Sequence, residues 1–96
     1  MKLSEPAVDL GVAVTVASAY KNIPIAKDVV IIGEVGLTGE VRRINLIEKR
    51  LKEAEKLGFK KCIIPENNKK VLKDEYKLDI IGVKNIGEAL KKLGIK

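Results

Sequence analysis

Two serines, Ser4 and Ser18, one cysteine, Cys62, and no histidine make up the nucleophile inventory of this chain. Ser-His-Asp and Cys-His chemistry are therefore closed, since no imidazole exists to take the nucleophile's proton. A Ser-Lys pair stays open on composition, because lysines are plentiful. Ser18 falls late in an apolar helical stretch, where a hydroxyl bonding back to the preceding turn is the expected role. Cys62 lies in the apolar run Cys62-Ile63-Ile64 and reads as a buried core thiol. It has no second cysteine for a disulfide and no histidine to complete a metal site. Gly33, Gly36 and Gly39 are evenly spaced but precede strand-like residues, so they read as bends rather than a phosphate cradle. Neither a Gly-x-x-x-x-Gly-Lys-Ser/Thr loop nor a Gly-x-Gly-x-x-Gly run opening a helix is present.

Charge is the other chemical resource, and it is unevenly placed. Residues 1–40 hold three lysines against five acids, whereas residues 41–96 hold 16 Lys/Arg against eight acids. Arg42, Arg43, Lys49, Arg50, Lys52, Lys56, Lys60 and Lys61 are the candidate contacts for a polyanion such as DNA. The plainer alternative is a solvated surface of the kind thermophilic proteins carry, since the chain is rich in Lys, Glu and Ile and has no Gln, His or Trp. Aromatic residues are few: Tyr20, Phe59 and Tyr76, of which Tyr20 and Phe59 sit where a core would use them. Base stacking is therefore not expected, and any contact should be to phosphates, weak and sensitive to salt.

The elements that must carry these residues follow from periodicity. Ser4, Glu5 and Pro6 signal a helix start, and residues 7–20 are apolar on nearly every side, which predicts a central helix buried all round. Asn22 and Pro24 end it. Residues 29–32 read as a buried strand, and the glycines that follow predict a bent strand turning back as a hairpin around Thr38-Gly39. Asn45 and Glu48 form a capping box for a second helix with the apolar stripe Ile47, Leu51, Ala54 and Leu57, ended by Gly58. Residues 60–64 form a strand stopped by Pro65, a short helix is expected around Val71-Leu72, and residues 78–83 form another strand. Asn85 and Glu88 make a second capping box, Leu90 and Leu93 face inward, and Gly94 closes the last helix. This order predicts one α/β domain over residues 1–96. With 46% apolar and 33% charged residues the chain suits a globular fold. No apolar run nears the ~20 residues of a membrane span, and MKLSEPAVDL lacks a signal-peptide pattern, so a cytoplasmic location is expected.

Three stretches carry a family resemblance: Glu5-Pro6-Ala7-Val8-Asp9-Leu10, then Gly33-Glu34-Val35-Gly36-Leu37-Thr38-Gly39-Glu40-Val41-Arg42, then Arg50-Leu51-Lys52-Glu53-Ala54 with Lys56-Leu57-Gly58-Phe59-Lys60 and Ile64-Pro65. Together they resemble the C-terminal domain of the RadA (Sms) family of DNA-repair ATPases. The likeness covers residues 2–72 well and the tail loosely. That domain is similar to the proteolytic domain of Lon, which implies a Lon-protease-like fold (ribosomal protein S5 domain 2-like), a mixed sheet packed on the central helix. Laid against the Lon pattern, the serine nucleophile position falls on Ala7 and the lysine position on Glu48. Alanine has nothing to attack a carbonyl with, and a carboxylate has the wrong charge for the amine base, so the resemblance points away from catalysis. An ATP-dependent Lon-like serine peptidase is the alternative it leaves.

The resemblance further implies a chain that is one piece of a longer protein. The family carries a zinc-binding motif and a RecA-like ATPase core, so ATP and zinc are expected there and no cofactor in this segment. It implies hexameric rings, branch migration of recombination intermediates, and a domain serving ring assembly and DNA contact. Glu34 and Glu40 of one copy would then lie near basic residues of the next.

Overall fold

The computed structural model of the chain describes residues 8–95. The chain opens with β1 (Val8–Asp9) and passes directly into α1 (Leu10–Lys21). After β2 (Val29–Ile31) come β3 (Glu34–Val35) and β4 (Val41–Arg42), then α2 (Ile47–Lys56) and β5 (Lys61–Pro65). A one-turn α3 (Glu66–Lys69), β6 (Asp79–Val83) and α4 (Ile86–Lys92) complete it. The strands form two small sheets rather than the single mixed sheet expected. One is antiparallel in the order β1-β3-β4, the other parallel in the order β2-β5-β6. The fold is α/β, as composition and periodicity indicate.

β5 explains why its residues read as continuously apolar. Ile63 joins a core with Leu10, Val14, Val83 and Ala89 from α1, β6 and α4. Cys62 and Ile64 point the other way, into a core with Ile47, Leu51 and Ala54 from α2. A strand covered by helices on both faces has no polar side to show. Gly33 sits where the two sheets meet, at φ +152, and a Cβ there would lie 3.3–3.4 Å from Val41, Leu10 and Pro65 side-chain carbons. Both the backbone angle and the close approach call for glycine.

Several expectations are corrected. α1 begins at Leu10, capped by Asp9, whose carboxylate accepts the Val12 N–H at 3.1 Å; Ser4, Glu5, Pro6 and Ala7 lie outside the described residues. The helix is not buried all round: Leu10, Val14 and Ser18 are inside, but Val12, Val16 and Tyr20 are 55%, 63% and 85% exposed. Its apolar circumference exceeds what the remaining elements cover. Ser18 donates forward to the Ile23 carbonyl rather than back to the preceding turn, which ties down the left-handed C-cap at Asn22.

α2 is entered through Leu46 in the left-handed region, with no side-chain cap, so the box Asn45–Glu48 does not form. Leu57, at the helix end, is exposed rather than part of the buried stripe. The short helix follows Pro65 immediately instead of forming around Val71-Leu72. Pro65 is itself extended, so it ends a strand and starts a helix without needing an N–H. The second capping box is present in displaced form: Asn85 accepts the Glu88 N–H at 2.8 Å, while Glu88 accepts the N–H of Lys84, not Asn85, at 2.7 Å. The Thr38-Gly39 hairpin, the Gly58 terminus at φ +88 and the Gly94 terminus at φ +76 form where expected.

Candidate nucleic-acid interface

The eight candidate cations are spread over three elements. Arg42 and Arg43 stand at the end of β4, Lys49, Arg50, Lys52 and Lys56 along α2, and Lys60 and Lys61 at the start of β5. Asn68, just past the end of β5, holds Ile44 next to Arg43, whereas Lys60 and Lys61 stand at the start of β5, so the β4 pair and the β5 pair lie toward opposite ends of that strand. Lys49, Lys52 and Lys56 do line a common depression with Glu53 and Leu57.

Arg42 is committed within its own hairpin. Its Nε and Nη2 each donate to Glu40 Oε2 at 3.3 Å, and the Thr38 hydroxyl and N–H reach Glu40 Oε1 at 2.6 and 3.1 Å. These bonds, the Thr38 hydroxyl first, hold the Glu40 carboxyl down at about 2. The run Leu37-Thr38-Gly39-Glu40-Val41-Arg42 is thus a turn braced by Glu40, whose side chain stays 45% exposed. Glu34 is exposed. On α2, Lys52 pairs with Asp74 at 3.5 Å.

Glu48, the position matched to the Lon lysine, accepts the Tyr76 hydroxyl at 3.1 Å. Burial first, then that bond, pushes the Tyr76 phenol up to about 12. Cys62 is fully buried, and desolvation raises its thiol to about 12, as a core thiol requires. Phe59 packs against the α2 core, but Tyr20, expected inside, is among the most exposed side chains. Among the described residues no group of three or more His, Cys, Asp or Glu could hold a metal ion. No helix there is long and apolar enough to cross a membrane.

Other cations gather where the sequence reading did not look. A cleft lined by Arg42, Arg43 and Lys84 adjoins one lined by Lys84, Lys91 and Lys92, and Glu66 and Lys84 border both. Lys91 and Lys92 occupy the last turn of α4, where a cation is ordinarily assigned to the helix dipole, so spacing alone gave no reason to group them with Arg43.

A family model described as subunit ChlI of Mg-chelatase matches residues 1–68. The DNA repair protein RadA of Listeria monocytogenes is 54% identical over 92 residues, covering 96% of this chain and 20% of that protein. Its counterpart in Streptococcus pneumoniae is 48% identical over 93 residues, 97% of this chain and 22% of the relative. That of Bacillus subtilis is 48% identical over 91 residues, 95% and 20%. The chain spans about a fifth of the length of the curated relatives it matches. It therefore belongs to the family whose model is described as subunit ChlI of Mg-chelatase, and its likeness to DNA repair proteins RadA bears out the resemblance carried by its hairpin run.

Proposed function

We propose that this chain is a non-catalytic, Lon-protease-like domain of a RadA-type DNA-dependent ATPase, contacting DNA phosphates and contributing to ring assembly during recombinational repair. The observation that carries it is identity of 48–54% to proteins named DNA repair protein RadA across nearly the whole of this chain. The charge of residues 41–96, 16 Lys/Arg against eight acids, supports the DNA part. Branch migration, and the ATP and zinc that go with it, belong to the remainder of such a protein. The exposed stripe of α1 supports the assembly part, because an apolar surface of this kind seeks a partner.

The Lon-like fold is supported by the α/β arrangement around α1 and the hairpin that follows β2. Peptidase activity finds no support: the lysine position holds Glu48, already engaged with Tyr76, and the serine position holds Ala7.

The test is binding of a labelled duplex, followed by anisotropy across a salt series. Each phosphate contact should add roughly 0.9 to the slope of log affinity against log salt. No detectable binding at low salt would remove the DNA-contacting role from this domain.

A further inference from the structure

We infer that the surface facing the phosphates is not α2 but the band formed by Arg43, Lys69, Lys84, Lys91 and Lys92, around the open edge of β6. The inference rests on the DNA-contacting reading above and says where that contact lies.

Charge balance within a screening length, about 10 Å at 0.1 M salt, decides which surface attracts a phosphate. A phosphate feels the sum of the charges within that distance. On α2, Lys49, Arg50, Lys52 and Lys56 are interleaved with Glu48, Glu53 and Glu55, and Asp74 sits on Lys52 at 3.5 Å. With Lys73, Glu75 and Lys77 of the same loop counted too, six cations meet five carboxylates, and the helix face is close to neutral. At the start of β5, Lys61 stands in register with Asp79, and the backbone bonds of Lys60 and Lys61 to the Asp28 carbonyl make Asp28 their neighbour, so two cations have two acidic residues beside them. Arg42 and Glu40 cancel one another.

The band is different. The two clefts that meet at Glu66 and Lys84 bring Arg43, Lys84, Lys91 and Lys92 together. Gly82 lets the Glu66 and Lys69 side chains lie together over β6, where a Cβ would collide with Glu66 Oε1 and stand only 3.0 Å from the lysine Cδ. Apart from the Glu40–Arg42 pair, the carboxylates there are Glu66 and Glu88, and Glu88 is drawn onto the Lys84 N–H. Five cations face two carboxylates, so the uncompensated positive charge of the second half collects here. β6 is an edge strand of the parallel sheet. Lysines at such an edge also discourage pairing with a foreign strand, but that role needs no arginine from β4. None of Tyr20, Phe59 or Tyr76 lines the band, so it offers no aromatic anchor for a protein partner and no platform for unstacked bases. Long, flexible cations over a shallow track suit the closely spaced phosphates of duplex DNA.

Two triple variants of equal net charge decide it: Lys84→Ala/Lys91→Ala/Lys92→Ala in the band, and Lys49→Ala/Arg50→Ala/Lys56→Ala on α2. With a 20-base-pair labelled duplex, the band variant should lose about two to three units of salt slope and about tenfold or more in affinity at low salt. The α2 variant should stay within about twofold of the parent. A Lys→Arg triple at the same three band positions should keep binding, and matched thermal unfolding separates lost contact from lost fold. Equal losses in the two triples, or a greater loss from α2, would overturn the assignment. A parent chain that binds no duplex at low salt would sink the underlying DNA reading before any variant is made.

Discussion

The Asn68 carboxamide closes both backbone hydrogen bonds of Ile44, accepting the N–H and donating to the carbonyl, each at 2.9 Å across 24 residues of sequence. Asn68 is 1% exposed, and the side chain does for the segment leading into α2 what a neighbouring strand would do. Replacing it by Ala strands two partly buried polar groups, which costs about 1–3 kcal/mol each where water cannot reach. Asn68→Ala should therefore lower the unfolding free energy by about 2–4 kcal/mol, read by denaturant titration. Asn68→Asp, which keeps the acceptor and loses the donor, should fall between. A change under about 0.5 kcal/mol in the alanine variant, the scale of an ordinary surface substitution, would show that water replaces the carboxamide without loss.

That bond also shows where sequence reading stopped. Asn68 sits in a polar stretch, Glu66-Asn67-Asn68-Lys69-Lys70, and nothing in its spacing tells a buried asparagine from a solvated one. The partner it finds is the backbone of the segment before α2, brought near only by tertiary packing. What was legible depended on local rules: the buried strands, the hairpin at Thr38-Gly39, the glycine-terminated helices, and Asn85 as a cap. What was not depended on tertiary competition. Asn45 looks like a cap, but Tyr76 takes its partner Glu48 and the chain enters through Leu46. Tyr20 looks like core, but the side of α1 that bears it is uncovered. Density along the chain singles out the candidate cations, whereas field strength depends on which carboxylates fold beside them.

Glu40 gives a pH signature. Its folded value near 2 lies below the ordinary 4.5, so it favours the folded state at pH above about 4.5. That contribution is lost as pH falls through the folded value near 2. Between these limits the parent should lose thermal stability faster than Glu40→Gln, which has no proton to gain at that position. Parallel melting-temperature curves for the two proteins over this range would mean that the turn is no tighter in the fold than in the unfolded chain.

Peptide hydrolysis should be absent. Incubation with an unfolded protein and a fluorogenic peptide should give only the background rate, and Ala7→Ser with Glu48→Lys should not restore turnover. The lysine would lose the Tyr76 bond that Glu48 makes, and oxyanion donors need their own placement. Turnover by the parent that disappears in Ser18→Ala would defeat this expectation outright. Ser18 itself is poorly suited to attack, being 9% exposed with its hydroxyl donating to Ile23.

Self-association should run through α1. Val12, Val16 and Tyr20 recur every four residues on its outer side, and Val8 of β1 is 51% exposed beside the helix start. A second copy is the fitting occupant. This stripe belongs to residues 1–40, which carry three lysines against five acids, so the basic excess elsewhere does not hold two such faces apart. Covering these side chains is worth on the order of 5 kcal/mol per copy at about 25 cal/mol per Å². Loss of rotational and translational freedom costs roughly 4–15 kcal/mol. The balance predicts a weak contact, seen by light scattering as a rising average mass across a concentration series into the millimolar range. Val16→Glu should hold the chain monomeric without lowering its melting temperature, because the residue is 63% exposed and belongs to neither buried core. A parent chain that stays monomeric at the highest concentration and binds no hydrophobic dye would show that the stripe is left to water.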